Sequence, residues 1–190
     1  ISNTQRGLRG ISFGNLLLKR VIEDLRRELP GLKTFVTLSP LPGFRKWLDN
    51  AAAKGAAPLA TAGAIKPAQV YGADAREVSL VTALACAGWA DDAKLAEAQR
   101  EPMEKLCAHY LLKEKSGGQP LDPVANFHLD NGARVDRIFW LADTSVRGMR
   151  QSYGMMVSYR YDLAEVDKNH ERFMRSGQIA AASRVLRLLG

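Results

Sequence analysis

The sequence predicts an α+β fold, a mixed β-sheet with flanking helices. Three observations carry that expectation. A segment of helical periodicity follows a glycine-rich turn near the start of the chain, a strand and a helix-rich middle come next, and a β-rich run closes on an amphipathic end.

Taken in order, residues 1–9 are short and polar and read as the end of a strand running into a loop. From Gly14 to Leu29 the apolar residues Leu17, Leu18, Val21, Ile22, Leu25 and Leu29 keep helical spacing, with Lys19, Arg20, Glu23, Asp24, Arg26 and Arg27 opposite, and Pro30-Gly31 stops the helix. Thr34–Leu38 is rich in β-branched and aromatic residues and reads as a strand ended by Ser39-Pro40-Leu41-Pro42-Gly43. Phe44 to Asn50 predicts a turn or two of helix. Residues 51–68, rich in Ala, Gly, Thr and Pro, are expected to form a flexible connection.

Two helices are expected over Glu77–Trp89 and Ala93–Lys113, with Asp91 or Asp92 as N-cap of the second. Lys115–Pro120 closes this helical insert, so that 51–120 reads as a link and an insertion within one domain of 1–190. Val124–Leu129, Arg134–Ala142 and Met156–Leu163 read as three more strands, Thr144–Ser152 as a short helix, and Ile179–Leu189 as a terminal amphipathic helix. Alternation along the first of these strands places Val124, Asn126 and His128 on one face and Ala125, Phe127 and Leu129 on the other. Asn131-Gly132 then predicts a type I′ hairpin, because both residues tolerate positive φ.

At 190 residues the chain is long enough for one domain with a sizeable core. A net charge of +7 admits nucleic acid, a membrane surface or a phosphorylated ligand as partner. The cations are dispersed, with no basic run of five and no aromatic ribonucleoprotein motif, so nucleic acid is not expected. No apolar run approaches the roughly 18 residues of a spanning helix, so no membrane partner is expected either. Cys86 and Cys107 lack C-x-x-C spacing and read as structural thiols of a reducing, cytoplasmic setting.

Three places have the chemistry of a site. The turn from Gln5 to Gly14 puts glycines ahead of a helix, where the backbone can approach a phosphate with free N–H groups and the helix dipole aimed at it. Ser39, held extended by Pro40, reads either as an oxyanion or carboxylate ligand or as a plain strand-ending turn. His128 with Asn126 reads either as a proton-transfer pair or as satisfied polar residues at the rim of the core. Met155, Tyr159 and Tyr161 share a face of the last strand, where Tyr usually packs with its hydroxyl satisfied at the edge. His109 and His170 lie in helix and linker contexts with no ligand-spaced partner, so no metal site is expected.

Residues Thr4–Gly10 (TQRGLRG), Leu38–Phe44 (LSPLPGF), Pro123–Ala133 (PVANFHLDNGA), Trp140–Asp143, Ser145–Gly148 and Tyr159–Leu163 (YRYDL), in that order, resemble the C-terminal catalytic domain of the malonyl-CoA decarboxylases. The resemblance covers nearly the whole chain and is poor over 51–100. It implies the C-terminal part of a GCN5-related N-acetyltransferase fold with a helical insertion. The glycine turn resembles that fold's pyrophosphate loop, although Gly10 and Gly14 are four apart. In such a fold the acyl-pantetheine arm threads between the strand before the glycine loop and the strand after the following helix.

The resemblance further implies release of CO2 from malonyl-CoA to give acetyl-CoA. It implies catalytic Ser39, His128 and Tyr161, with Asn126 orienting groups around them, and coenzyme A contacts from Arg9, Gly10, Ile11, Ser12, Phe13, Gly14 and Asn15. It implies no metal and no organic cofactor, coenzyme A being part of the substrate, and it admits a homo-oligomer. Members of the family carry a helical domain and further strands ahead of the position of Ile1, so the chain is expected to be part of a longer protein. The alternatives are an acyl-CoA-dependent acyltransferase on the same fold and a non-catalytic basic fragment.

Overall fold

The computed structural model describes residues 13–55, 80–86 and 88–190. Its centre is a three-stranded antiparallel sheet of β1 (Phe35–Pro40), β4 (Arg134–Phe139) and β5 (Met156–Tyr161), in the order β1-β5-β4. Along the chain come α1 (Phe13–Glu28), β1, α2 (Phe44–Ala53), α3 (Leu80–Ala85), α4 (Ala93–Leu112), a two-stranded hairpin of β2 (Lys115–Ser116) and β3 (Gln119–Pro120), and α5 (Pro123–Asp130). After β4 the chain forms α6 (Val146–Ser152), β5, α7 (Val166–Ser176), α8 (Ser183–Leu186) and a closing 3-10 turn, Arg187–Leu189.

Register decides what the sheet buries. Phe35, Thr37 and Ser39 of β1 stand opposite Tyr161, Tyr159 and Val157 of β5, and Val135 and Ile138 of β4 stand opposite Tyr159 and Val157. Directly opposed residues share a face, and this face is the core side. Val157, Tyr159 and Val135 are fully buried there, with Tyr110, Leu106, Leu111 and Leu129 in the same cluster. On the other face Val36 and Leu38 are half exposed, at 53% and 56%.

Most elements form where their sequence says they should. Asp92 caps α4, its carboxylate accepting from the Lys94 and Leu95 N–H groups at 2.9 and 3.1 Å. Ser145 caps α6 by accepting from Gly148 N–H at 3.1 Å. Strand β1 runs to Pro40, and α2 continues to Ala53, past the expected end at Asn50 and into the first residues of the expected connection. Residues 56–79, which hold the rest of that connection and the start of the first insert helix, lie outside the described residues, as does the segment 1–12.

The largest correction is at Val124–Leu129, which is helix α5 and not a strand. Its signals are Asp122-Pro123 and Gly132. Asp122 accepts from the Val124 and Ala125 N–H groups, each at 2.9 Å, and Pro123 occupies the first turn, where its missing N–H costs nothing. At the other end Gly132 takes φ +75°, its N–H bonds to Leu129 O at 2.9 Å, and Ala133 N–H reaches back to His128 O at 3.0 Å. That is a Schellman cap, so Asn131-Gly132 ends a helix instead of turning a hairpin. The two-residue hairpin lies elsewhere, at Gly117-Gly118, with φ of +59° and +82° between β2 and β3.

Two further differences concern the end of the chain. Helix α7 occupies Val166–Ser176, where no element is expected, and places His170 in a helix and not in a linker. The expected helix over Ile179–Leu189 is confined to α8 and the 3-10 turn. Ahead of it Ala180–Ala182 lie along β4, with Val135 N–H donating to Ala180 O and Ala182 N–H donating to Val135 O, both at 2.9 Å. Small side chains let this backbone close on the sheet edge.

Candidate active site

The antiparallel pairing of β1 with β5 sets Ser39 and Tyr161 on one face of the sheet, at opposite ends of the paired stretch. Helix α5 lies on that face, and His128, near its C-terminal end, stacks its ring on Tyr159 with centroids 4.3 Å apart and planes at 21°. From there the imidazole reaches both strands. Its Nε2 lies 3.1 Å from Ser39 Oγ, and its Nδ1 lies 2.7 Å from the Tyr161 hydroxyl. Ser39 and His128 are each 6% exposed and Tyr161 is 2% exposed, so both of these bonds are shielded from bulk water.

Burial decides the proton positions. The Tyr161 hydroxyl has no hydrogen-bond partner other than His128 among the described residues, and leaving its proton unpaired would cost about 1–3 kcal/mol. Tyr161 therefore donates to Nδ1. The proton of the neutral ring sits on Nε2 and is donated to Ser39 Oγ, and Ser39 in turn donates to Thr37 Oγ1 at 3.3 Å. Desolvation lowers the His128 pKa from 6.5 to about 4, so the ring is neutral at pH 7, and burial also raises Tyr161 well above its usual range. A phenol as third member makes this arrangement differ from a hydrolase triad. A carboxylate there would leave Nε2 basic and able to take the serine proton, whereas Tyr161 leaves Nε2 as a donor.

Asp122 holds the two halves of the site together. Fully buried, it caps α5 and accepts from the Tyr110 hydroxyl at 3.2 Å. Burial raises its pKa, while bonds from Ala125, Val124, Tyr110 and the Gly43 backbone N–H pull it down. Gly43 belongs to the turn that follows Ser39, and a Cβ there would sit 2.5 Å from the Tyr110 hydroxyl. The carboxylate thus ties the start of the His128 helix to the segment that carries Ser39.

Of the expected site residues, Ser39, His128 and Tyr161 come together. Asn126 does not join them. Two residues apart on a helix, its side chain leaves the axis about 200° from that of His128, and its Oδ1 is buried without a hydrogen-bond partner. Arg9, Gly10, Ile11 and Ser12 lie outside the described residues, and Phe13, Gly14 and Asn15 form the first turn of α1. His109 pairs with Glu114 at 3.1 Å, and His170 Nδ1 bonds the Asp130 carbonyl. Among the described residues no group of three His, Cys, Asp or Glu is placed to hold a metal, and no helix is long and apolar enough to cross a membrane. Thr37 and Asp122 are not among the residues expected at the site, and Tyr159 is expected only to pack beside Tyr161. Thr37 was legible as the i−2 neighbour of Ser39 on a strand, and Asp122 as an N-cap ahead of Pro123.

The family model described as the malonyl-CoA decarboxylase C-terminal domain matches residues 1–190. The mitochondrial malonyl-CoA decarboxylase of Rattus norvegicus is 43% identical over 100% of this chain and 39% of its own length. That of Anser anser anser is 40% identical over 98% of this chain and 38% of its own. Among solved structures, malonyl-CoA decarboxylase from Rhodopseudomonas palustris superposes with a TM-score of 0.82 at 48% identity, covering 98% of this chain and 40% of that one. The enzyme from Agrobacterium vitis gives 0.82 at 42% identity, covering 100% and 44%. The chain therefore spans about two-fifths of the length of the relatives it matches.

Proposed function

The chain belongs to the family of malonyl-CoA decarboxylase C-terminal domains, and from that membership we propose that it carries the catalytic centre that converts malonyl-CoA to acetyl-CoA and CO2. The observation that carries this reading is the buried chain from Tyr161 through His128 to Ser39, whose polarity makes His128 and Ser39 donors. Loss of CO2 breaks the bond between the carboxylate carbon and C2 and leaves its electron pair on a thioester enolate. The site then needs a hydrogen-bonded oxygen and a proton for C2. Ser39, at the strand end of that chain, would act on the malonyl carboxylate or the thioester oxygen.

His128 supplies the proton. A bound carboxylate beside the imidazole favours its protonated form. The imidazolium gives the Nε2 proton to C2 and regains one from solvent, so the reaction consumes one proton overall. Tyr161 keeps the ring oriented throughout, its oxygen being able to accept from Nδ1–H when the ring is charged. No metal or organic cofactor enters these steps.

We read the sheet order as the C-terminal half of the acetyltransferase-type fold, with 51–120 inserted in it. In support, β1 follows α1 and among the described residues pairs only with β5; the acyl-pantetheine arm would lie along its other edge. Arg9 to Asn15 would take the coenzyme A pyrophosphate, since α1 begins at Phe13 and the N-terminus of a helix favours an anion. The buried free thiol of Cys107 fits a reducing compartment. The rat and goose relatives are named mitochondrial, and the cytoplasm is kept as the proposal from sequence.

The test is steady-state turnover of malonyl-CoA by the full-length protein, with CO2 and acetyl-CoA both measured and no amine present. Wild type is expected to form the two in equal amounts. His128→Ala is expected to lose at least about a hundredfold in kcat, the usual weight of a general acid, and Tyr161→Phe about tenfold. Product formation that depends on an added amine would instead establish the acyltransferase, and a fully active His128→Ala would remove His128 from the mechanism.

A further inference from the structure

The hydrogen-bond chain does not end at Ser39. Thr37 lies two residues earlier on β1, on the same face, opposite Tyr159. Its Oγ1 is 3.3 Å from Ser39 Oγ. The polarity imposed by the buried Tyr161 runs through every member. Tyr161 donates to His128, His128 to Ser39, and Ser39 to Thr37. Each donor is thereby committed to its neighbour except the last. The Thr37 hydroxyl proton has no partner among the described residues, and Thr37 is half-buried where Ser39, His128 and Tyr161 are buried.

We propose that Thr37 is a further substrate-binding residue, whose hydroxyl donates to an oxygen of the malonyl thioester while accepting from Ser39. The inference rests on the decarboxylase reading of the site and adds the group that meets the substrate. Ser39 then acts on that oxygen by polarising the Thr37 O–H, since each donor in such a chain strengthens the next. The Ser39–Thr37 link is the longest of the three, compared with 2.7 Å at the Tyr161 end. It is the link an incoming oxygen most readily tightens.

The experiment compares wild type, Thr37→Val and Thr37→Ser in the full-length protein. Valine keeps the β-branched shape that suits a strand and removes only the hydroxyl, while serine restores the hydroxyl without the methyl. Thr37→Val is expected to lower kcat/KM for malonyl-CoA about tenfold or more, the lower bound for a donor of a class whose loss costs about a hundredfold or more. Its Tm should be unchanged, and Thr37→Ser should recover to within about threefold of wild type. A merely structural role would lower Tm in the valine variant and give no recovery specific to a hydroxyl. Wild type active with Thr37→Val inside threefold overturns the Thr37 assignment alone. Wild type that fails to decarboxylate malonyl-CoA overturns the decarboxylase reading, and this one with it.

Discussion

Protonating His128 in the folded protein is costly, and the cost sets how stability depends on pH. Burial lowers its pKa from 6.5 to about 4. The unfolded chain therefore binds a proton at this position through a range in which the folded chain does not. Stability from this group is complete above about pH 6.5 and is lost as pH falls, until the folded ring also titrates near pH 4. A displacement of that size corresponds to about 3 kcal/mol. This is a large share of the 5–15 kcal/mol that holds a typical domain. The assay is urea denaturation of wild type and His128→Gln at a series of pH values from 7.5 to 3.5, read as the difference between the two proteins so that the carboxylates common to both cancel. The difference should shift by about 3 kcal/mol against wild type across that window, with most of the change between pH 6 and 4.5. A difference that stays flat with pH would refute both the burial argument and the neutral resting state on which the proton assignments depend.

Two other substitutions test how the site is held. Asp122→Ala removes the α5 cap and leaves the buried Tyr110 hydroxyl without its acceptor, so it should cost about 2–4 kcal/mol in urea denaturation. Asp122→Asn, which keeps one oxygen acceptor, should cost less. Gly132→Ala places a Cβ against the Val166 carbonyl at a φ of +75°. It should lower stability by about 3 kcal/mol or more on the same assay, and a loss under about 1 kcal/mol would mean that the helix end can shift.

The strands of the sheet and several helix ends are legible in the sequence because their signals are local. Thr34–Leu38 is β-branched and aromatic, Asp92 stands where a cap should, and Pro30-Gly31 ends a helix. His128 was found for a reason that proved wrong in form. Alternation from Val124 to Leu129 reads as a strand only while Asp122-Pro123 and Gly132 are treated as loop punctuation. Taken as a cap, a first-turn proline and a C′ glycine, the same residues spell a helix. Eight residues of mixed polarity satisfy either period, and tertiary packing against Tyr159 decides between them. Asn126 illustrates the consequence, since a partner of His128 on a strand face becomes a residue on the far side of a helix. Helix α7 was missed because its apolar side rests on few residues, Val166 and Phe173 among them, within a strongly charged run. Tyr161 and Thr37 could be placed on faces of strands, but that those strands are neighbours is a fact of topology that no local pattern contains.

In the proposed decarboxylation, the same burial that weakens His128 as a base makes it selective as an acid. In the free site the ring is neutral, and its Nε2–H is engaged by Ser39. A neutral acyl thioester entering the site brings no charge to favour the imidazolium, so the ring stays uncharged and a poor proton donor. A malonyl group brings a carboxylate, and an opposite charge within about 4–6 Å shifts such a group by pKa units in the direction that burial opposed. The substrate thus supplies what loads the acid. On that proposal, when CO2 departs the charge that held the proton on His128 becomes the enolate that takes it, and the neutral product leaves behind a ring whose environment again disfavours charge. Tyr161 is suited to this cycle where a carboxylate would not be. A permanent negative charge on Nδ1 would hold the imidazolium in every state, whereas a phenol lets the substrate alone decide.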